Sequence, residues 1–90
     1  MSKIPVELGR VVIAKCGRGA GRKYLVTKVI DEDFVLIADG KTRTAQKQKK
    51  KRIKHLTATK TLNEEMRKVL IEGGMPEDHQ MRTYLSKEEG

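Results

Sequence analysis

The chain has 90 residues, of which 20 are Lys or Arg and 12 are Asp or Glu, giving a formal charge of +8, with 37% apolar and only 3% aromatic residues. A chain of this size buries about 60–65% of the surface its unfolded form exposes, enough for one modest core but not for a deep, multi-walled active site. Its longest apolar run, Phe34-Val35-Leu36-Ile37-Ala38, falls far short of the roughly 20 residues that cross a bilayer. From Gly9 to Leu56 the apolar residues come in short, β-branched clusters separated by Gly and Asp, a strand pattern and not a helical one. Strands are predicted over residues 10–16, 24–30 and 34–38. In the first, Val11 and Ile13 alternate with Val12, Ala14 and Cys16, so both faces are apolar and the strand belongs inside a sheet. In the second, Leu25 and Val29 oppose Val26 and Ile30. Asp31-Glu32-Asp33 reads as a tight turn, and Asp39-Gly40 as a two-residue hairpin loop that needs positive φ. A fourth strand is predicted over residues 41–48, with Lys41, Arg43, Ala45 and Lys47 on one face and Thr42, Thr44, Gln46 and Gln48 on the other. Neither face is apolar, which places it at an edge. Ile53 and Leu56 anchor a short fifth element, and Phe34 is expected inside the barrel that five such strands would form.

Beyond Leu56 the pattern changes. Thr61-Leu62-Asn63-Glu64 fits a capping box with Thr61 as the N-cap. Leu62, Met66, Val69 and Leu70 then share one helical face, and Gly73-Gly74 ends the helix. Pro76 opens a second short helix whose apolar positions are Met81, Tyr84 and Leu85. The expected organisation is a mainly β, small SH3-like barrel over residues 1–58, followed by one or two short C-terminal helices over residues 59–90. These helices either pack on the barrel, serve a partner or form a mobile tail.

The charge follows the same division. Up to Leu56 there are 15 basic and 5 acidic residues; after it there are 5 basic and 7 acidic, so +10 is set against −2. The densest stretch, Lys47-Gln48-Lys49-Lys50-Lys51-Arg52-Ile53-Lys54, carries six cations in eight residues. Mutual repulsion keeps such a run compact only when it is solvated or neutralised by an anion. A second cluster, Gly17-Arg18-Gly19-Ala20-Gly21-Arg22-Lys23, interleaves three glycines with three cations. Glycines allow close backbone approach, so this loop can present N–H groups and flanking cations to a phosphate. It is neither a Walker loop nor a full dinucleotide fingerprint, and a flexible hairpin with solvated charges has the same composition.

The order of the whole segment adds to this. Gly9-Arg10-Val11-Val12, Gly17, Gly21-Arg22-Lys23, Val26, Val29-Ile30-Asp31, Phe34-Val35-Leu36 and Asp39-Gly40 together resemble the KOW motif. The continuation from Lys41-Thr42-Arg43 through Arg52-Ile53-Lys54-His55-Leu56 looks like the eukaryotic-type "fourteen" branch of KOW-containing large-subunit ribosomal proteins. The part after Thr57 is shorter and more acidic than the C-terminal extension of those proteins, which groups the chain with small free-standing, bacterial-type members. The resemblance spans roughly half the chain. It implies an SH3-like barrel that binds RNA, usually ribosomal RNA, with the loop after the first strand and the basic strand near the RNA backbone.

With Tyr24, Phe34 and Tyr84 as its only aromatic residues, the chain is poorly supplied with stacking platforms. Recognition by phosphate contacts and RNA shape is expected instead. The expected contacts are Lys15, Arg18, Arg22, Lys23, Lys41, Arg43, Lys47, Lys49, Lys50, Lys51, Arg52 and Lys54, with Gly17, Gly19 and Gly21 as loop backbone. His55 is either an RNA donor or a structural hydrogen-bonding residue.

No catalytic constellation, cofactor motif or metal-ligand spacing emerges. Cys16 reads as a small buried residue, and His79 is remote from it. The start Met1-Ser2-Lys3-Ile4-Pro5 lacks the apolar stretch of a signal peptide, and a single cysteine cannot form an internal disulfide. A monomeric, cytoplasmic protein with RNA or the ribosome as partner, and with no small-molecule substrate and no membrane, is the resulting expectation. The alternative is an SH3-like protein–protein adaptor in translation, transcription or secretion, although peptide-binding SH3 domains use aromatic-lined grooves. A peripheral membrane binder would need an apolar or lipidated anchor beside the lysines.

Overall fold

The computed structural model describes residues 4–15, 17 and 20–87, without the side chain of Lys87. Cys16, expected to be buried, and Arg18 and Gly19 of the glycine loop therefore lie outside the described residues. The chain forms β1 (Arg10–Ala14), β2 (Lys23–Val29), β3 (Phe34–Ala38), β4 (Lys49–Arg52), a 3-10 turn (Ile53–His55), β5 (Leu56–Leu62), α1 (Glu64–Ile71) and α2 (Asp78–Lys87). The strands make one antiparallel sheet in the order β4-β3-β2-β1-β5. The architecture is thus mainly β with two short C-terminal helices, as the sequence pattern predicts.

Period-two alternation divides the core into two layers. Cross-strand partners Val12 and Tyr24, and Val26 and Ile37, share a face; with Ala14, Val35 and Leu56 they form one buried cluster, bordered by Val6, Ile53 and Ala58. On the other face Leu25 and Ala38 are covered by Leu70 of α1 and Met81 of α2, with Met66 and Tyr84 packed beside them. The helices are the second layer that a two-sided apolar sheet requires. β1 lies inside the sheet because both of its faces must be buried, and it pairs with β2 and β5.

Several local expectations change. Residues 41–48 are not a strand, and Asp39-Gly40 does not close a two-residue hairpin. The Asp39 carboxylate accepts hydrogen bonds from the backbone N–H groups of Lys41 and Arg43, each at 2.9 Å, while the N–H of Asp39 donates to the Arg43 carbonyl at 2.8 Å. These local bonds hold the segment in a loop in place of a sheet ladder. The edge strand is instead the lysine run itself, Lys49–Arg52, paired with β3 from Ile37↔Lys49 to Phe34↔Arg52.

The N-cap of α1 is Asn63, whose side chain accepts from the Met66 N–H at 3.0 Å. Thr61 and Leu62 stay in β5, where Leu62 pairs with Arg10, so Leu62 does not join the helical face. Val69 is 39% exposed and lies outside the core, leaving Met66 and Leu70 as the packed positions. Phe34 is half-buried and not part of the barrel interior, because alternation puts it on the face of β3 opposite Val35 and Ile37, where it meets Lys50 and Arg52 of β4. The turn at residues 31–33 forms as expected, with the Asp31 carboxylate accepting from the N–H groups of Asp33 and Phe34.

Candidate nucleic-acid interface

The alternation of β4 sorts its four cations onto two faces. Lys49 and Lys51 stand opposite Ile37 and Val35, which point into the first core cluster, so these two lysines continue that face beyond the edge of the apolar core. With Arg43, Gly17, Tyr24 and Ala14 they line a pocket of about 280 Å³. Lys51 reaches across it until its ammonium lies 3.5 Å from the point a Cβ on Gly17 would occupy. The lysine run and the glycine loop, some 30 residues apart in sequence, therefore meet at one site.

Lys50 and Arg52 project from the opposite face of β4 and lie over the Phe34 ring, the Lys50 Nζ at 4.5 Å and the Arg52 Cζ at 4.9 Å from its centroid. The ring quadrupole attracts both cations and offsets part of their mutual repulsion. Among the described residues, the ion pairs join Glu7 with Arg10 and Arg67, and Glu77 with His79; no carboxylate neutralises the cations of β4.

A second set gathers elsewhere. Arg22 and Lys23, leaving the glycine loop, and Lys41, in the loop after β3, line an open groove of about 890 Å³ together with Gly21. Its far wall is α2, through Arg82, Thr83 and Ser86. Of the other expected contacts, Lys15 is exposed beside the 3-10 turn, its N–H donating to the His55 carbonyl at 2.8 Å. Lys54 is exposed on that turn and Lys47 on the turn before β4; none of these three lines either depression. His55 is half-buried in the 3-10 turn.

Sequence reasoning missed Arg82, Thr83 and Ser86. They lie in the more acidic part of the chain, and only the docking of α2 through Met81 brings them to the cations. Within the described residues, no group of three or more His, Cys, Asp or Glu side chains could hold a metal ion, and no helix is long and apolar enough to cross a membrane.

Fold and site together define a small, basic, one-sheet β protein whose cations collect around one glycine loop and one edge strand. Comparison with known proteins gives the particular family. The chain is 43% identical over 54 residues to the large ribosomal subunit protein eL14 of Desulfurococcus amylolyticus, covering 60% of this chain and 56% of that protein. It is 44% identical over 54 residues to that of Pyrobaculum arsenaticum, covering 60% and 52%. These matches span only about half the length of either relative. The eL14 protein of Hyperthermus butylicus matches at 32% identity over 78 residues, covering 78% of this chain and 80% of the relative. No family model matches the chain. On the extent of the Hyperthermus match, the chain belongs to the eL14 family of large ribosomal subunit proteins.

Proposed function

We propose that the chain is a non-enzymatic RNA-binding protein of the large ribosomal subunit, acting in the cytoplasm, where it engages ribosomal RNA through phosphate and shape contacts. The observation that carries this reading is the meeting of Lys51 with Gly17. It brings the lysine run, with Arg43 beside it, against the backbone of the glycine loop, on a barrel-like β domain of a family named for the large subunit. The KOW resemblance of residues 9–56 agrees with it. In this reading Lys49, Lys51 and Arg43 contact one stretch of RNA backbone across the mouth of the β domain, with Gly17 allowing close approach. Lys50 and Arg52, ordered over Phe34, present charge on the neighbouring face. Lys15, Lys47 and Lys54 extend the positive field and favour encounter.

Base stacking contributes little, since Tyr24 is only 6% exposed and the Phe34 ring is already covered by cations. The same two facts weigh against a peptide-binding adaptor, which requires an open aromatic groove. Co-sedimentation with ribosomes at low and high salt, set beside binding to anionic vesicles, tests the proposal. Salt-sensitive recovery with the large subunit supports it, and preference for the vesicles contradicts it.

A further inference from the structure

The groove between α2 and the two basic loops has the makings of a second RNA surface. Three cations from the β domain, Arg22, Lys23 and Lys41, face Arg82 on α2. The one carboxylate in its lining, Asp39, accepts the N–H groups of Lys41 and Arg43 through Oδ1. Thr83 and Ser86 expose hydroxyl groups along the helical wall. A depression with four cations and hydroxyl donors, set beside one aliphatic side chain, Leu85, and one carboxylate, suits a polyanionic strand better than an apolar or cationic ligand.

The helical wall is also fixed in place. Met81 is fully buried against the sheet. The Asp78 carboxylate accepts from the Ala45 N–H at 2.7 Å, and Arg82 Nη1 donates to the Gly40 carbonyl at 2.6 Å. Gly40 and Ala45 lie on either side of Lys41 and Arg43, so α2 grips the loop that carries these cations and holds them for binding.

We propose that α2 forms one wall of an RNA-backbone groove, with Arg82, Thr83 and Ser86 contacting phosphates or ribose hydroxyls of a strand held opposite Arg22, Lys23 and Lys41. The inference builds on the ribosomal RNA reading and assigns the C-terminal helix a direct part in it. The test compares the intact chain, a Thr83→Glu/Ser86→Glu variant and a Lys49→Gln/Lys51→Gln variant in binding to a large-subunit rRNA transcript, with ultraviolet cross-links mapped on the intact chain. Glutamate is compatible with an exposed helix, so melting of the first variant should match that of the intact chain.

At 50 mM salt the two glutamates should weaken binding about tenfold, the effect of two like charges about 6 Å from phosphates at bulk-water dielectric. Cross-links should fall within residues 82–86. Undiminished affinity of the glutamate variant, or cross-links confined to residues 43–54, overturns the assignment of α2 while leaving the ribosomal RNA reading standing. Failure of the intact chain to bind the transcript overturns both.

Discussion

Lys51 on β4 reaches the backbone of Gly17 in the β1–β2 loop, its ammonium 3.5 Å from where a Cβ would stand. Register explains the approach: Lys51 pairs with Val35, whose side chain points into the core, so Lys51 is aimed across the mouth of the same face. Replacing both Lys49 and Lys51 by Gln should leave stability within about 0.5 kcal/mol, because neither is buried and no carboxylate depends on them. RNA binding should respond more. Two lost phosphate contacts lower the salt slope by about 1.4–1.8, so the affinity loss between 50 and 200 mM salt shrinks roughly 7- to 12-fold. Filter binding across that range measures it, and an unchanged slope would place the phosphate contacts elsewhere.

Met81 is 0% exposed and joins α2 to Leu25, Ala38 and Leu70. Met81→Ala should cost about 2–5 kcal/mol and lower Tm by at least about 8 °C in a domain of this size. Thermal unfolding followed by circular dichroism gives the value. A loss below about 1 kcal/mol would show that the helix is not part of the packed unit.

Gly40 has φ +79, and a Cβ there would collide with the Asp78 carbonyl oxygen. Gly40→Ala combines left-handed strain with a backbone clash, about 2–5 kcal/mol in all. Gly21 has φ +85 but nothing within 4 Å of a Cβ, so Gly21→Ala carries only the backbone part, about 1–2 kcal/mol. Chemical denaturation of the two variants should rank Gly40→Ala as clearly the less stable; equal losses would mean that α2 does not press on this loop.

The Phe34 ring lies under Lys50 and Arg52. Phe34→Leu keeps an apolar side chain but removes the ring quadrupole, so stability should fall by about 1–2 kcal/mol, two exposed cation–π contacts at about 0.5–1 kcal/mol each. Raising the salt should narrow the difference between the variant and the unsubstituted chain. A difference independent of salt would assign the loss to packing alone.

The sequence makes β1, β2 and β3 legible because each carries apolar residues at alternating positions, and a strand buried on its faces records that burial in its composition. It does not show β4. Lys49-Lys50-Lys51-Arg52 contains no apolar residue, and its extended form comes from hydrogen bonding to β3, so tertiary context decides where local pattern is silent. Residues 41–48 mislead through their regular alternation, since the Asp39 carboxylate takes the N–H groups of Lys41 and Arg43 and the Asp78 carboxylate takes that of Ala45, which holds the segment in a loop.

The helix start shifts for a similar reason. Thr61 and Asn63 are both acceptable caps, and pairing of Leu62 with Arg10 favours the later one. The glycine loop and the lysine run were each visible as charge, but their convergence depends on strand register. The contribution of Arg82 depends on a helix docked from the far end of the chain.

The salt dependence of the intact chain's affinity for large-subunit rRNA measures whether the cations around Lys51 and Gly17 neutralise RNA phosphates. With about six phosphates neutralised, affinity should fall roughly 300- to 2,000-fold between 50 and 200 mM salt. An affinity that stays constant across that range would show that phosphate neutralisation does not drive binding.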